Sequence, residues 1–140
     1  MQLKKINMSE KETLPIQIRF NDVDQMGHVN NAVIMEYFDL GKELFFQQHG
    51  MPPEKADFTV MIVHFEVDFH SQIRFHDRIA VETEIEGIGN KSLKVLQRVV
   101  NSEDGHVCAT CRTVMSAGYS GSCSSRPTRP SRLTYTSPES

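Results

Sequence analysis

The sequence lacks the features that would place the protein in a membrane, in a secretory pathway or on nucleic acid. It has no run of about 18 apolar residues, so no membrane-spanning helix is predicted. Its first residues are polar after Leu3 and contain no apolar segment of the kind found in signal peptides. The formal net charge is −3 at pH 7, which gives no general attraction for nucleic acid. These absences favour a soluble cytoplasmic protein.

Cysteine is scarce, and its three positions are Cys108, Cys111 and Cys123. An odd count is most simply explained by reduced thiols in the cytoplasm. Cys108 and Cys111 have the spacing of a redox or zinc motif, but they lie in an alternating segment that predicts a strand rather than a helix N-terminus. Side chains three apart on a strand point to opposite faces. We therefore interpret both as structural residues and expect no metal and no cofactor.

The sequence does contain one helical pattern and five strand patterns. Asn30 or Asn31 is expected to cap the helix, and Gly50 followed by two prolines to end it. Alternating apolar residues predict strands at residues 14–20, 58–69, 78–86, 92–100 and 106–116. The apolar phase of the second strand shifts at Val63, which predicts a bulge. The predicted fold class is α+β, with one helix against an antiparallel sheet whose last four strands form a meander.

The 140 residues correspond to one domain. We predict a polar lead over residues 1–12 and a folded domain over residues 13–117. Residues 118–140 are rich in Ser, Pro, Arg and Thr and have almost nothing to bury, so a disordered or atypical tail is expected. Two interpretations of this tail stay open, a linker and the translation of a shifted reading frame.

Residues 22–31, with the sequence DVDQMGHVNN, are the candidate site. They form a loop that runs into the start of the helix, where unpaired N–H groups and the helix dipole can stabilise a developing oxyanion. Gly27 allows a ligand to approach the backbone closely, and a carboxylate in this loop can attack a carbonyl or activate water. Two alternatives stay open: ordinary turn and capping chemistry, and a calcium loop, for which the full acidic spacing is missing.

The segment Phe20-Asn-Asp22-Val-Asp24-Gln-Met-Gly27-His28-Val-Asn30-Asn31, followed by Tyr37, resembles the signature of the 4-hydroxybenzoyl-CoA thioesterase-like branch of the hot-dog superfamily. The resemblance extends over residues 14–116. It implies a curved five-stranded antiparallel sheet wrapped around one long helix, and hydrolysis of an acyl-CoA thioester without a cofactor. It also implies a homodimer or homotetramer with active sites at the subunit interface, which agrees with a sheet that leaves an edge strand to be covered.

The resemblance also implies roles for individual residues. Asp24 matches the catalytic carboxylate, and its action as nucleophile or as general base stays open. Backbone N–H groups near Val29 to Asn31 are expected to polarise the thioester carbonyl, and Asp22 to hold the loop. The residues expected to bind substrate are Gly27, His28, Val29, Asn30, Asn31, Tyr37 and His64.

Other polar residues have less specific interpretations. His64, Glu66, Asp68 and His70 share one strand face, which could bind a metal or form a solvated or subunit-facing surface. Lys91, Lys94 and Arg98 are candidates for contacts with CoA phosphates.

Two rival functions are a hot-dog module that binds an acyl thioester without hydrolysis, and a hot-dog dehydratase or hydratase. The expected partner is an acyl-CoA substrate, with acyl carrier protein as the alternative carrier. No nucleic-acid partner and no membrane span are expected.

Overall fold

The computed structural model describes residues 10–49 and 58–119. Within them, a five-stranded antiparallel sheet in the order β1-β3-β4-β5-β2 accompanies one long helix. The elements are β1 (Lys11–Ile16), a 3-10 turn (Phe20–Asp22), α1 (Asn31–Gln48), β2 (Phe58–Phe69), β3 (Ile79–Ile88), β4 (Ser92–Asn101) and β5 (Val107–Tyr119). The predicted α+β class, with one helix and one antiparallel sheet, is confirmed.

The predicted four-strand meander is wrong at its first connection. Strands β3, β4 and β5 do form a meander, but β2 pairs with β5 and lies at the edge of the sheet. The β3–β4 and β4–β5 connections carry short turn signals, whereas residues 70–78 between β2 and β3 do not form a tight hairpin. They run instead beside the loop that precedes α1, where Val29 N donates to the carbonyl of Ile73.

Strand β1 begins and ends earlier than its apolar pattern predicts. It pairs with β3 from Lys11 to Ile16, so the predicted continuation to Phe20 does not occur. The carboxylate of Asp22 accepts the backbone N–H of Arg19 at 2.9 Å. The backbone N–H of Asp22 donates in turn to the carbonyl of Arg19 at 2.9 Å. This local pairing closes a 3-10 turn and turns the chain away from the sheet.

The capping choice at the start of α1 is settled in favour of Asn30, whose side-chain oxygen accepts the N–H of Ala32 at 2.8 Å. The helix buries Ile34, Phe38 and Phe45 and lies against β1, β3 and β4. A Cβ atom at Gly41 would lie 2.6 Å from Cγ1 of Val81, so only glycine permits this close approach.

A buried amide fixes the same crossing. The side-chain N–H group of Gln97 on β4 donates to the carbonyl of Phe38 at 2.8 Å and to the hydroxyl of Thr83 at 3.0 Å. Because Gln97 is fully buried, these bonds tie α1 to the middle of the sheet.

The predicted bulge in β2 is confirmed. The register with β5 shifts between Ile62 and His64, so Val63 has no partner in the ladder. Large apolar side chains of this edge strand are exposed, and they are Met61, Ile62, Val63, Phe65 and Phe69.

Cys108 and Cys111 lie on β5, as predicted, but the expectation that they face opposite sides is wrong. Both belong to one buried core cluster that also contains Ile73. The pairing with β4 passes from Val99↔Ala109 to Val100↔Val107, so Cys108 is the extra residue of a bulge and the alternation is broken there. Both thiols are free, and burial raises the pKa of each.

The ends of the predicted domain are only partly described. Strand β5 continues to Tyr119, two residues past the predicted boundary at residue 117. The expected tail beyond it, and the helix stop at Gly50 with Pro52 and Pro53, lie outside the described residues. No helix in the described part of the chain is long and apolar enough to cross a membrane.

Candidate active site

The loop between the 3-10 turn and α1 is a closed turn. Val23 and Val29 form an isolated antiparallel bridge, and Asp24 N donates to the carbonyl of His28 at 2.9 Å. Gly27 has a φ of 83°, a left-handed conformation that glycine adopts without steric cost. The turn therefore holds residues 24–28 as a rigid projection rather than a loose connection.

Asp24 is exposed at the base of this turn and only one of its carboxylate oxygens is engaged. Oδ1 accepts the N–H of Met26 at 2.9 Å and that of His28 at 3.2 Å. Among the described residues, Oδ2 has no hydrogen-bond donor. The first oxygen orients the carboxylate, and the second is left available for chemistry.

Asp24 faces a cavity of about 480 Å³ at the start of α1. One wall comes from the loop and the first turn of the helix, and the other from the end of β2 and the segment after it. The lining residues are Asp24, His28, Val29, Asn30, Asn31, Ile34, Phe69, His70, Ser71, Gln72 and Ile73.

Most N–H groups at the start of α1 are already used. Val29 N donates to Ile73 O at 2.7 Å, and Asn30 N donates to Asp22 O at 2.9 Å. The N–H of Ala32 donates to the side-chain oxygen of Asn30. The N–H of Asn31 has no acceptor among the described residues. Of the three groups expected to polarise a carbonyl, Val29 to Asn31, only that of Asn31 is therefore free, at the positive end of the helix dipole.

In contrast to the exposed Asp24, Asp22 is buried and its carboxylate is surrounded by hydrogen-bond donors. It is 1% exposed, and its carboxylate accepts the hydroxyl of Tyr37 at 2.6 Å and three N–H groups of Arg19. Burial alone would raise the pKa of Asp22, but the hydrogen bonds from Tyr37 and Arg19 outweigh it and hold the pKa below its ordinary value. Burial, followed by the bond to Asp22, raises the pKa of Tyr37. The expectation that Asp22 holds the loop agrees with these contacts.

The structure brings five predicted site residues to the cavity: Asp24, His28, Val29, Asn30 and Asn31. Gly27 shapes the turn without lining the cavity. Tyr37 is buried against Asp22, and His64 lies on the exposed part of β2, paired with Val114.

The residues proposed for CoA phosphates do not lie at this cavity. Lys94 pairs with Val114 beside His64, toward the end of the sheet opposite to that where Phe69 pairs with Ala109. Lys91 is in the β3–β4 turn at that same distant end. Arg98 is bound to Glu82 and Glu84 through its guanidinium group, at 3.5 and 3.1 Å.

The second wall of the cavity was missed by sequence reasoning. It consists of Phe69 and the segment His70 to Ile73. Residues 70–73 carry no motif of their own, and they reach the site because Ile73 O accepts the N–H of Val29. The sequence contains one indication that these residues do not form a hairpin: a polar segment without a tight-turn signal follows β2.

Within the described residues, the polar side chains of β2 are not grouped as metal ligands. Across the described residues, no group of three or more His, Cys, Asp or Glu side chains is placed to hold a metal ion. His70 is engaged instead with the hydroxyl of Thr110, at 3.0 Å from its Nε2.

Comparison with known proteins gives a consistent set of relatives. The family model described as "Thioesterase-like superfamily" matches residues 18–127. The acyl-CoA thioester hydrolase YbgC of Escherichia coli is 26% identical over 95 residues, which are 64% of this chain and 69% of that protein. A crystal structure of a thioesterase complexed with coenzyme A and Zn from Thermus thermophilus has 29% identity and a TM-score of 0.67, and covers 78% of this chain and 80% of that one. A predicted thioesterase from Bacillus stearothermophilus has 28% identity and a TM-score of 0.70, with 81% and 84% covered.

Proposed function

The chain belongs to the thioesterase-like superfamily, and from that premise we propose that it hydrolyses acyl-CoA thioesters with Asp24 as the catalytic carboxylate. The observation that carries this proposal is the pairing of two unused groups on one cavity. Oδ2 of Asp24 and the N–H of Asn31 both lack partners within the described residues, and both residues line the cavity. Thioester hydrolysis needs one group of each kind.

The N–H of Asn31 is proposed to donate to the carbonyl oxygen of the thioester. Negative charge develops on that oxygen when the carbonyl carbon is attacked, and a fixed donor at a helix N-terminus stabilises it. Val29 and Asn30 cannot share this role while they keep their bonds to Ile73 and Asp22.

Asp24 is proposed to act in one of two ways. As nucleophile, Oδ2 forms a bond to the carbonyl carbon and the C–S bond breaks, which releases the CoA thiolate and leaves a mixed anhydride that water hydrolyses. As general base, the carboxylate takes a proton from a water molecule that attacks the same carbon. The C–S bond then breaks, and the proton passes from Asp24 to the departing CoA thiolate. In both cases the products are the free acid and CoA, and the carboxylate is regenerated.

The acyl group is proposed to lie against the apolar side chains that line the cavity, Ile34, Phe69 and Ile73. Short aliphatic, branched and aromatic groups are all compatible with this lining. The polar residues His28, Asn30, Ser71 and Gln72 would contact the thioester and the start of the pantetheine arm. CoA is the preferred carrier because it is the one named for the relatives, and acyl carrier protein is the alternative.

We further propose that the working unit is a homodimer or homotetramer that covers β2. This strand is an open edge of the sheet and exposes Val63, Phe65 and Phe69, each 45–57% accessible. Edge strands with apolar side chains tend to pair with another chain. His64 would then lie at the subunit interface. A cytoplasmic location is proposed on the free thiols Cys108 and Cys111.

The proposed function is tested by the release of free thiol from a panel of short, medium and aromatic acyl-CoAs. Asp24→Asn keeps the shape of the side chain and removes its charge and basicity. Glu43→Gln is a matched control because it removes an exposed carboxylate from α1, about 18 Å along the helix from Asn31. Release by the unmodified protein and by Glu43→Gln, with loss in Asp24→Asn, is expected.

Other results would point to the rival functions. A tight acyl-CoA complex with no thiol release, from folded and oligomeric protein, would favour a binding module. Hydration of an enoyl-CoA would favour a hydratase. Equal release by Asp24→Asn and the unmodified protein would refute the role of Asp24.

A further inference from the structure

We propose that Tyr37 and Asp22 are positioning residues for this reaction, acting as a buried clamp that holds the Asp24 turn and the start of α1 in fixed relation. The inference rests on the proposed roles of Asp24 and Asn31. It changes the role expected for Tyr37, which the resemblance placed among the substrate-binding residues.

Tyr37 has no contact with the cavity. It is 3% exposed and packs in the core cluster with Ile34 and Phe38. Its hydroxyl donates to Oδ2 of Asp22 at 2.6 Å, a short bond between a buried phenol and a buried carboxylate. The polar end of Tyr37 is therefore committed to Asp22 and is not directed at a ligand.

Asp22 joins Tyr37 to the proposed oxyanion donor. Its side chain is held by Tyr37 from the helix and by Arg19, the residue before the 3-10 turn. Its backbone carbonyl accepts the N–H of Asn30 at 2.9 Å. Asn30 directly precedes Asn31, so the direction of the Asn31 N–H depends on where Asp22 is held.

Asp22 also anchors the turn that carries Asp24. The bridge between Val23 and Val29 closes the turn directly beside the bond from Asn30 to Asp22. Both reacting groups, the Asp24 carboxylate and the Asn31 N–H, thus extend from one anchor. Because a misplacement of about 1 Å can cost up to roughly 100-fold in rate, a small shift of this anchor is enough to impair the reaction.

The test compares Tyr37→Phe with Phe45→Leu. Tyr37→Phe keeps the ring and removes the hydroxyl that binds Asp22. Phe45 is fully buried on the same helix but belongs to the other core cluster, with Ile85, Leu93 and Val95. Its truncation is expected to lower the melting temperature, and Phe45 belongs to a core cluster that does not contain Tyr37. Both variants are assayed well below their melting temperatures.

For Tyr37→Phe we expect kcat to fall about tenfold while KM for the acyl-CoA stays within about twofold, because the clamp orients groups without touching substrate. Phe45→Leu is expected to keep kcat. In an Asp22→Ala background, Tyr37→Phe should lower kcat little further, since the hydrogen bond between the two side chains is already absent. An unchanged kcat in Tyr37→Phe, or an equal loss in Phe45→Leu, would overturn the proposal.

Amide hydrogen exchange at Asn30 gives a readout that does not depend on activity. Tyr37→Phe should accelerate this exchange, and Phe45→Leu should not, because only the former weakens the anchor that accepts the Asn30 N–H. Absence of hydrolysis by the unmodified protein would refute the proposed function, and exchange would still decide on the clamp. Unchanged exchange in Tyr37→Phe would refute the clamp even in an active enzyme.

Discussion

Asp22 and Asp24 are two residues apart in the chain, but they occupy opposite surroundings. Asp22 is buried, and its carboxylate is surrounded by donors from Tyr37 and Arg19. Asp24 is exposed at a cavity, and only its Oδ1 receives donors from the described residues. An aspartate side chain therefore has a structural role at position 22 and is available for reaction at position 24.

The difference arises from the turn between them and the helix. Asp22 ends a 3-10 turn and faces α1, where Tyr37 supplies a hydroxyl. Val23 then pairs with Val29, and the chain turns outward so that Asp24 faces the cavity. A saturated carboxylate stabilises the fold, whereas a half-satisfied one keeps a reactive oxygen. This distinction can be broken or sharpened by substitution.

The largest expected effect separates the two carboxylates by activity and stability. Asp24→Asn should lower kcat by about 10²- to 10⁴-fold with little change in the free energy of unfolding. Asp22→Asn should lower the free energy of unfolding by about 1–3 kcal/mol, because buried donors lose their ionised acceptor. Thiol-release kinetics and urea unfolding on the same samples measure both quantities. A larger loss of stability in Asp24→Asn would reverse the comparison.

A change in the packed core should affect stability without affecting the Asp24 turn. Gly41→Ala places a Cβ 2.6 Å from Cγ1 of Val81, so we expect a net loss of about 1–3 kcal/mol in spite of the better helix propensity of alanine. Gly87→Ala is the control, since its Cβ would meet only Cδ of Lys94 at 3.8 Å. Thermal unfolding measures the difference, and equal melting temperatures would contradict the close helix–sheet contact.

The pH dependence of stability should report Asp22. Its pKa is lower in the folded than in the unfolded state, so the unfolded state binds more protons between the two values. The stabilisation is therefore fully present above the ordinary carboxyl pKa of 3.8 and is lost as the pH falls through the lowered pKa. Urea unfolding from pH 6 down to about pH 3 should show a smaller decline for Asp22→Asn than for the unmodified protein. Parallel declines would show that Asp22 contributes nothing to the change in the free energy of unfolding over this pH range.

The smallest expected effect concerns the turn itself. Gly27 and Gly105 both have left-handed φ values, 83° and 82°, with open space where a Cβ would lie. Alanine at either position should cost about 1–2 kcal/mol of backbone strain. Gly27→Ala should in addition lower kcat severalfold, because it distorts the turn that carries Asp24, whereas Gly105→Ala should leave kcat unchanged. Equal kcat values would show that the turn tolerates the distortion.

Several features could be predicted from the sequence because they depend on local chemistry. The cap at Asn30 or Asn31 and the bulge at Val63 each follow from a residue and its immediate neighbours. The candidate loop was found in the same way, from a dense motif beside a helix start. Two errors arose where distant segments meet: the place of β2 in the sheet and the bulge at Cys108. The end of β1 differs for a local reason, the pairing of Asp22 with Arg19.

The site shows the same division. Asp24 and the helix start beside it could be predicted because they lie in one short segment of the sequence. Which N–H remains free is decided by Ile73 and Asp22, which take those of Val29 and Asn30. Strand register likewise places Lys94 toward the end of the sheet far from the cavity.

The sequence by itself determined the α+β class, the helix and the loop with its two carboxylates, because periodicity, capping and turn chemistry act over a few residues. Only the tertiary structure decided that Tyr37 meets Asp22, that residues 69–73 form the second wall and that β2 is an open edge. These contacts join segments far apart in the chain. They depend on which apolar surfaces pack against each other and on which buried polar groups form hydrogen bonds. Neither can be predicted from the pattern of neighbouring residues.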